Sequence, residues 1–288
     1  MPKQPLPNVG HTLAIASGKG GVGKTTVTVN LALALQAQGA RIGVFDADVF
    51  GPNVPLMLGI HRRKAGGGFV PVARPKGAAP YIQPLERYGL QVMSLGLIVA
   101  EDQVINPLAD TVGQIVVETL RSVMWGALHY LLIDLPPSAG QPQQGLLENV
   151  QMAGVIIVTT PQDLSLLDSS RSLRMYEQAH VPVLGLVENM SYFICPHCGE
   201  RHEIFQHSER WRPEALKAVP VLGRIPLTAE ISKGIDKKHP LMAASAGSPS
   251  ARATASHSAH ASHQQPQDGH AQREAFLEIA QAVRERLT

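Results

Sequence analysis

A chain of 288 residues with a formal net charge of +2 has room for one large α/β domain or two small ones, and its dispersed Lys and Arg residues give no basic run that would single out nucleic acid. Its 44% hydrophobic and 17% charged content is that of an ordinary soluble protein, and no apolar stretch approaches the ~18 residues that would suggest a membrane-spanning helix. Met1-Pro2-Lys3-Gln4-Pro5 lacks the apolar core of a secretion signal, so cytoplasm is the expected compartment, with no membrane and no nucleic acid as partner.

Thr12 to Ser17 reads as a buried strand, and Thr25 to Gln38 as a helix that stops at Gly39. Between them stands Gly18-Lys19-Gly20-Gly21-Val22-Gly23-Lys24-Thr25, the spacing Gly-x4-Gly-Lys-Ser/Thr with a second lysine after the first glycine. Strand, glycine loop and helix are the context this motif needs. Successive backbone N–H groups converge on phosphate oxygens, and the helix N-terminus adds partial positive charge. Lys24 would reach the β- and γ-phosphates and the Thr25 hydroxyl would bind Mg²⁺. A ligand-free glycine turn is the plain alternative, and the flanking elements argue against it.

Arg41 to Asp46 is a short strand ending in an acid, 61–80 is a Gly/Pro-rich loop expected to be mobile, and Leu90 to Leu95 is a strand. A helix over Asp110 to Trp125 follows, then apolar runs at 129–134, 154–159 and 183–187, separated by helical patterns near 143–152 and 165–179. Continuous apolar runs belong to strands covered on both faces. The alternation predicts an α/β fold, a doubly wound, mostly parallel sheet with its ligand at the carboxyl ends of the strands. From 243 to 272 the composition turns to Ala, Ser, His, Gln and Pro, too poor in large apolar groups to offset ordering entropy. It is expected to be a disordered linker carrying His257, His260, His263 and His270. Phe276, Ile279, Ala280, Val283 and Leu287 make one apolar stripe in 273–288, expected to be a helix docking on the domain formed by 1–242.

Cys195 and Cys198, three positions apart, point to metal or redox chemistry more than to a structural disulfide. Cys195, Cys198, His202 and His207, within a cysteine-containing segment at 193–210, also have a spacing that one Zn²⁺ could use within a single chain. An unmetallated thiol pair or a redox disulfide is the remaining reading.

Taken together, several segments resemble a known group of ATPases. Gly18 to Thr26 is similar to the deviant phosphate-binding loop of the signature-lysine class, which includes the nitrogenase iron protein and the division-site and partition ATPases. Within that class the chain most resembles the Mrp/ApbC-type iron–sulfur cluster carriers. The matching segments are 17–26, Asp46-Ala47-Asp48-Val49-Phe50-Gly51-Pro52-Asn53, Asp134-Leu135-Pro136-Pro137, Val158 to Gln162, and Val187 to Glu200 with its Cys-Pro-His-Cys.

The resemblance implies the P-loop NTPase fold, ATP hydrolysis, a homodimer, and transfer of a cluster to apo-proteins. It implies that Gly18, Lys19, Gly20, Gly21, Val22, Gly23, Lys24, Thr25 and Thr26 cradle the nucleotide and that Asn189 contacts adenine. Lys19 would act on the partner's phosphate, as an arginine finger does. Asp46 and Asp134 would support Mg²⁺ with Thr25, and Asp48 would orient the attacking water. Taken from the residues alone, the three acids would cap turns, Asn189 would form one, and Lys19 would be a solvated loop lysine.

Two thiolates per chain are too few for a [4Fe–4S] cluster, but a symmetric dimer brings four together on its axis, which with the resemblance favours a bridging cluster. Three stretches depart from the family: Ser138-Ala139-Gly140-Gln141 at the second switch, Val104-Ile105-Asn106 before Pro107, and Gln206 to Trp211. A nucleotide-gated positioning or scaffold ATPase is the second functional reading, and the cysteine pair argues against it.

Overall fold

In the computed structural model, which describes residues 3–49, 51–60, 81–97, 109–137, 140–195, 197–205, 213–245 and 269–288, the apolar runs become the central strands of one sheet. The strands are β1 (Val9–Ser17), β2 (Ile42–Asp46), β3 (Leu85–Arg87), β4 (Leu90–Ser94), β5 (Leu128–Asp134), β6 (Gly154–Thr159), β7 (Val183–Ile194), β8 (Arg201–His202) and β9 (Val221–Leu227). The helices are α1 (Lys24–Ala37), α2 (Val54–Met57), α3 (Ala109–Ser122), α4 (Gln141–Asn149), α5 (Asp163–Gln178), α6 (Glu214–Lys217), α7 (Ala229–Asp236) and α8 (His270–Glu285).

The order is β3-β4-β2-β5-β1-β6-β7, with β8 and β9 both paired to β7. Pairings from β4 to β9 are parallel, and β3 and β8 run antiparallel at their ends of the sheet. The chain winds to one side of β1 and then to the other, so the crevice beside β1 is the switch point where α/β sheets bind ligands. Alternation explains the runs. Leu13, Ile15, Val44, Ile156 and Val158 face one core, while Ala14, Ala16, Phe45, Val155 and Ile157 face the other. Helices α1 and α8 cover the first face; α3, α4 and α5 cover the second. Helix α1 is buried almost all round because α8 lies outside it, and it ends at Gly39, whose φ of +88° only glycine adopts freely.

Several expectations need correction. The strand expected at 183–187 continues to Ile194, so Asn189 sits within a strand rather than in a turn. Helices α3 and α4 end three residues early, at Ser122 and Asn149, and α8 begins at His270 rather than 273. Leu241–Ser245 forms a 3₁₀ turn that crosses the start of the linker expected at 243. Strands β3, β8 and β9 and the short helices α2, α6 and α7 were missed, because runs of two to eight residues carry little periodicity. The loop at 61–80, Val104 to Pro107, Ser138-Ala139, 206–211 and 246–268 with three of its histidines lie outside the described residues. Among the described residues no helix is long and apolar enough to cross a membrane.

Candidate functional site

The phosphate-loop motif joins β1 to α1 at the carboxyl edge of the sheet. Its glycines are needed for two different reasons. Gly21 and Gly23 have φ of +79° and +84°, the left-handed region that lets the loop curl back on itself. Gly18 is pressed against the backbone of α5: a Cβ there would lie 2.6 Å from the Asp168 carbonyl oxygen and from the Ser169 nitrogen. Ser17 Oγ, at the entry to the loop, is buried without a hydrogen-bond partner among the described residues.

Three strand ends stand in register beside the loop: Ser94 opposite Asp46, and Asp46 opposite Asp134. Asp134 is fully buried and collects three donors, Lys24 Nζ at 2.7 Å, Thr25 Oγ1 at 2.7 Å and Thr28 Oγ1 at 2.7 Å. Asp46, also fully buried, accepts from Ser94 Oγ at 3.0 Å, from the Asp48 N–H at 3.1 Å and from the Val54 N–H at 3.3 Å. Two buried acids thus share one ammonium. Burial first, and the Asp134 charge second, push Asp46 up to about 8, against the lowering effect of Ser94, the Asp48 N–H and Lys24.

The Thr25 hydroxyl and the two carboxylates form an all-oxygen donor set short of positive charge, which fits Mg²⁺. Asp48 is half-buried and its Oδ1 accepts from the Gly51 N–H at 3.0 Å, which is the turn-capping geometry. Lys19 Nζ lies at the exposed rim, 3.3 Å from Gln162 Oε1, and stays apart from the buried acids. Thr26 accepts the Asn30 amide through its carbonyl at 2.9 Å, inside the helix.

Asn189 reaches the loop from β7, its Nδ2 donating to the Val22 carbonyl at 2.8 Å and lying against Gly23. The same strand runs on through Met190, which has a left-handed φ of +54°, to Ile194 and then Cys195. The Cys195 N–H donates to the Glu200 carbonyl at 2.9 Å and the Gly199 N–H to the Cys195 carbonyl at 2.8 Å, closing a hairpin with β8. The Cys198 N–H, then those of His197 and the Cys198 thiol, hold the Cys195 thiol below its ordinary range, which favours the thiolate that metals need. Cys195 is half-buried and Cys198 exposed.

The structure therefore gathers the loop, Asp46, Asp48, Asp134 and Asn189 at one edge and sets Cys195 and Cys198 apart, at the end of β7. Of the zinc constellation, His207 is outside the described residues, while Glu200, not among the expected ligands, joins Cys198 and His202 with ligand atoms within 4.8 Å of one another. Thr28 and Ser94 were also missed. Thr28 is one helical turn beyond Lys24, and that spacing was the available signal; Ser94 is recognisable only once β4 is paired with β2.

Comparison with known proteins agrees with this geometry. An iron-sulfur cluster carrier protein of Synechocystis sp. is 42% identical over 253 residues, which is 87% of this chain and 70% of that protein. The mitochondrial iron-sulfur protein required for NADH dehydrogenase of Arabidopsis thaliana is 39% identical over 84% of this chain and 75% of its own length. Among solved structures, a nucleotide-binding protein from Archaeoglobus fulgidus in complex with ADP superposes with a TM-score of 0.64 at 32% identity, over 80% of this chain and 87% of that one. The family model of the ParA group described as NUBPL iron-transfer P-loop NTPase matches residues 8–261, and with the phosphate loop and the buried acids in place the chain belongs to that family.

Proposed function

We propose that the chain is an ATP-hydrolysing carrier that holds an iron–sulfur cluster between two copies of itself and passes it to apo-proteins in the cytoplasm. The observation that carries this reading is the thiol hairpin borne at the far end of the strand whose Asn189 touches the phosphate loop. A positioning ATPase would have no use for it. The cluster is the cargo. Cys195 and Cys198 of each protomer would supply its four thiolates, the number a [4Fe–4S] cluster requires.

The loop amides from Gly18 to Thr26 would bind the phosphates, and Lys24 would exchange its carboxylate partner for them. Bound with the nucleotide, Mg²⁺ would neutralise phosphate charge, held by Thr25 with support from Asp46 and Asp134. Asp48 would turn from Gly51 to orient the attacking water. Lys19, already at the rim, would reach the partner's nucleotide, which makes hydrolysis depend on association. Asn189 would take adenine with the side of its amide not bonded to Val22. The domain division follows: an ATPase domain over 1–242, a linker, and a C-terminal helix that belongs to the domain it covers.

The test is anaerobic reconstitution with iron and sulfide, measured with the oligomeric mass. Wild type should take up about four of each per dimer. The C195A/C198A double variant should take up neither and still bind ATP. Near-visible cluster absorbance persisting in the double variant would overturn the assignment.

A further inference from the structure

The hairpin that ends in β8 holds more donors than a bridging cluster needs. Glu200 and His202 are two residues apart and share a face, and the left-handed turn at Gly199 (φ +74°) brings Cys198 alongside them. Cys198 Sγ lies 3.9 Å from Glu200 Oε2, and His202 Nε2 lies 4.0 Å from the same oxygen. Ligands bound tetrahedrally to one zinc-like ion stand about 3.3–3.7 Å apart, given metal–ligand lengths of ~2.0–2.3 Å. The two distances to Glu200 therefore need to close by about half an ångström, and the Cys198–His202 pair, within 4.8 Å, by at most about 1.3 Å. All three are exposed, so no barrier separates them from solution.

The neighbouring charges are tied elsewhere. Arg201 pairs with Glu203 at 2.7 Å and lies over the Tyr192 ring at 3.8 Å, which keeps both the guanidinium and that carboxylate engaged away from the three donors.

We propose that each protomer, without its partner, binds one divalent first-row transition-metal ion through Cys198, Glu200 and His202, with water completing the coordination. One sulfur, one imidazole and one carboxylate suit a borderline ion such as zinc or ferrous iron and disfavour magnesium or calcium. The inference rests on the reading of this hairpin as the cargo site and adds a regulation to it. Cys198 cannot serve both a mononuclear ion and a bridging cluster, so the ion keeps the protomer out of the cluster-loaded dimer.

The experiment titrates the full-length, anaerobic, nucleotide-free protein with Co²⁺ alone. The expected result is thiolate-to-cobalt charge-transfer absorption with tetrahedral d–d bands, saturating at one ion per protomer while the mass stays that of the monomer. In H202A the affinity should fall at least as far as the roughly 10–100-fold that outer-shell changes cause, and E200Q should weaken binding in the same direction. Saturation at half an ion per protomer, or unchanged affinity in H202A, would overturn the proposal. Iron and sulfide reconstitution of untreated wild type, run alongside, reads the bridging cluster separately. Its failure with cobalt binding intact would remove the carrier reading and leave this site standing.

Discussion

Replacing Asp46 by Asn should flatten part of the pH dependence of stability. Asp46 is fully buried beside Asp134, with Lys24 the cation shared between them, and its carboxyl is pushed up to about 8 from 3.8. Between those values the folded chain keeps a proton that the unfolded chain has lost. Fewer protons on the unfolded state mean that stability falls as pH rises through this window, by about 1.4 kcal/mol per pH unit. From pH 5 to pH 7 the nucleotide-free wild type should lose roughly 3 kcal/mol relative to D46N. For a chain of this length, with an unfolding entropy near 2 cal/mol/K per residue, that difference is about 5 °C in Tm. The assay is thermal unfolding of both proteins across that range at fixed ionic strength. Parallel Tm curves would refute the claim that Asp46 holds a proton, and with it the idea that two acids compete for one lysine. The same proton should leave when Mg–nucleotide binds at pH 7, and calorimetry in buffers of different ionisation enthalpy would register its release.

Gly18→Ala should cost about 1–3 kcal/mol by overpacking against α5 and weaken ADP binding by about tenfold or more. Gly20→Ala, whose Cβ would meet only Pro137 at 3.8 Å, should leave stability almost unchanged; an equal loss of stability would discount the close approach at Gly18. Lys19→Ala should lower kcat for ATP by about 100-fold or more with little change in nucleotide affinity, since its action is expected in trans; a wild-type rate would remove that role. Phe276→Ala, at a fully buried position on α8, should destabilise by about 3–5 kcal/mol and lower Tm by about 5–8 °C. A much smaller shift would mean that α8 is not part of the core it covers.

The reading of the fold succeeded where apolar runs were long and failed where they were short. β1, β2, β5 and β6 were recognisable because each is buried on both faces and so carries an unbroken run. β7 was cut short at 187 because Glu188, Asn189 and Ser191 look like turn residues; in the structure all three are buried, and Glu188 is paired with Arg224 of β9 at 2.7 Å. No local pattern announces that partner, 36 residues away. The same holds for Glu200. In sequence it is an exposed acid near a cysteine, and it becomes a candidate ligand once the Gly199 turn folds it beside Cys198 and His202.

By itself, the order of residues determined that a phosphate loop lies between a buried strand and a helix, that acids end the second and fifth strands, and that two thiols stand three positions apart. These are local matters of glycine spacing, periodicity and side-chain chemistry, and a linear reading reaches them. Only the tertiary structure decided that Ser94, Asp46 and Asp134 stand in one row, that Lys24 pairs with Asp134 while Asp46 is buried beside it, and that one strand joins the phosphate loop to the cysteines. Register and burial set these distances, and both arise from pairings between strands far apart in the chain, where short-range pattern carries no information.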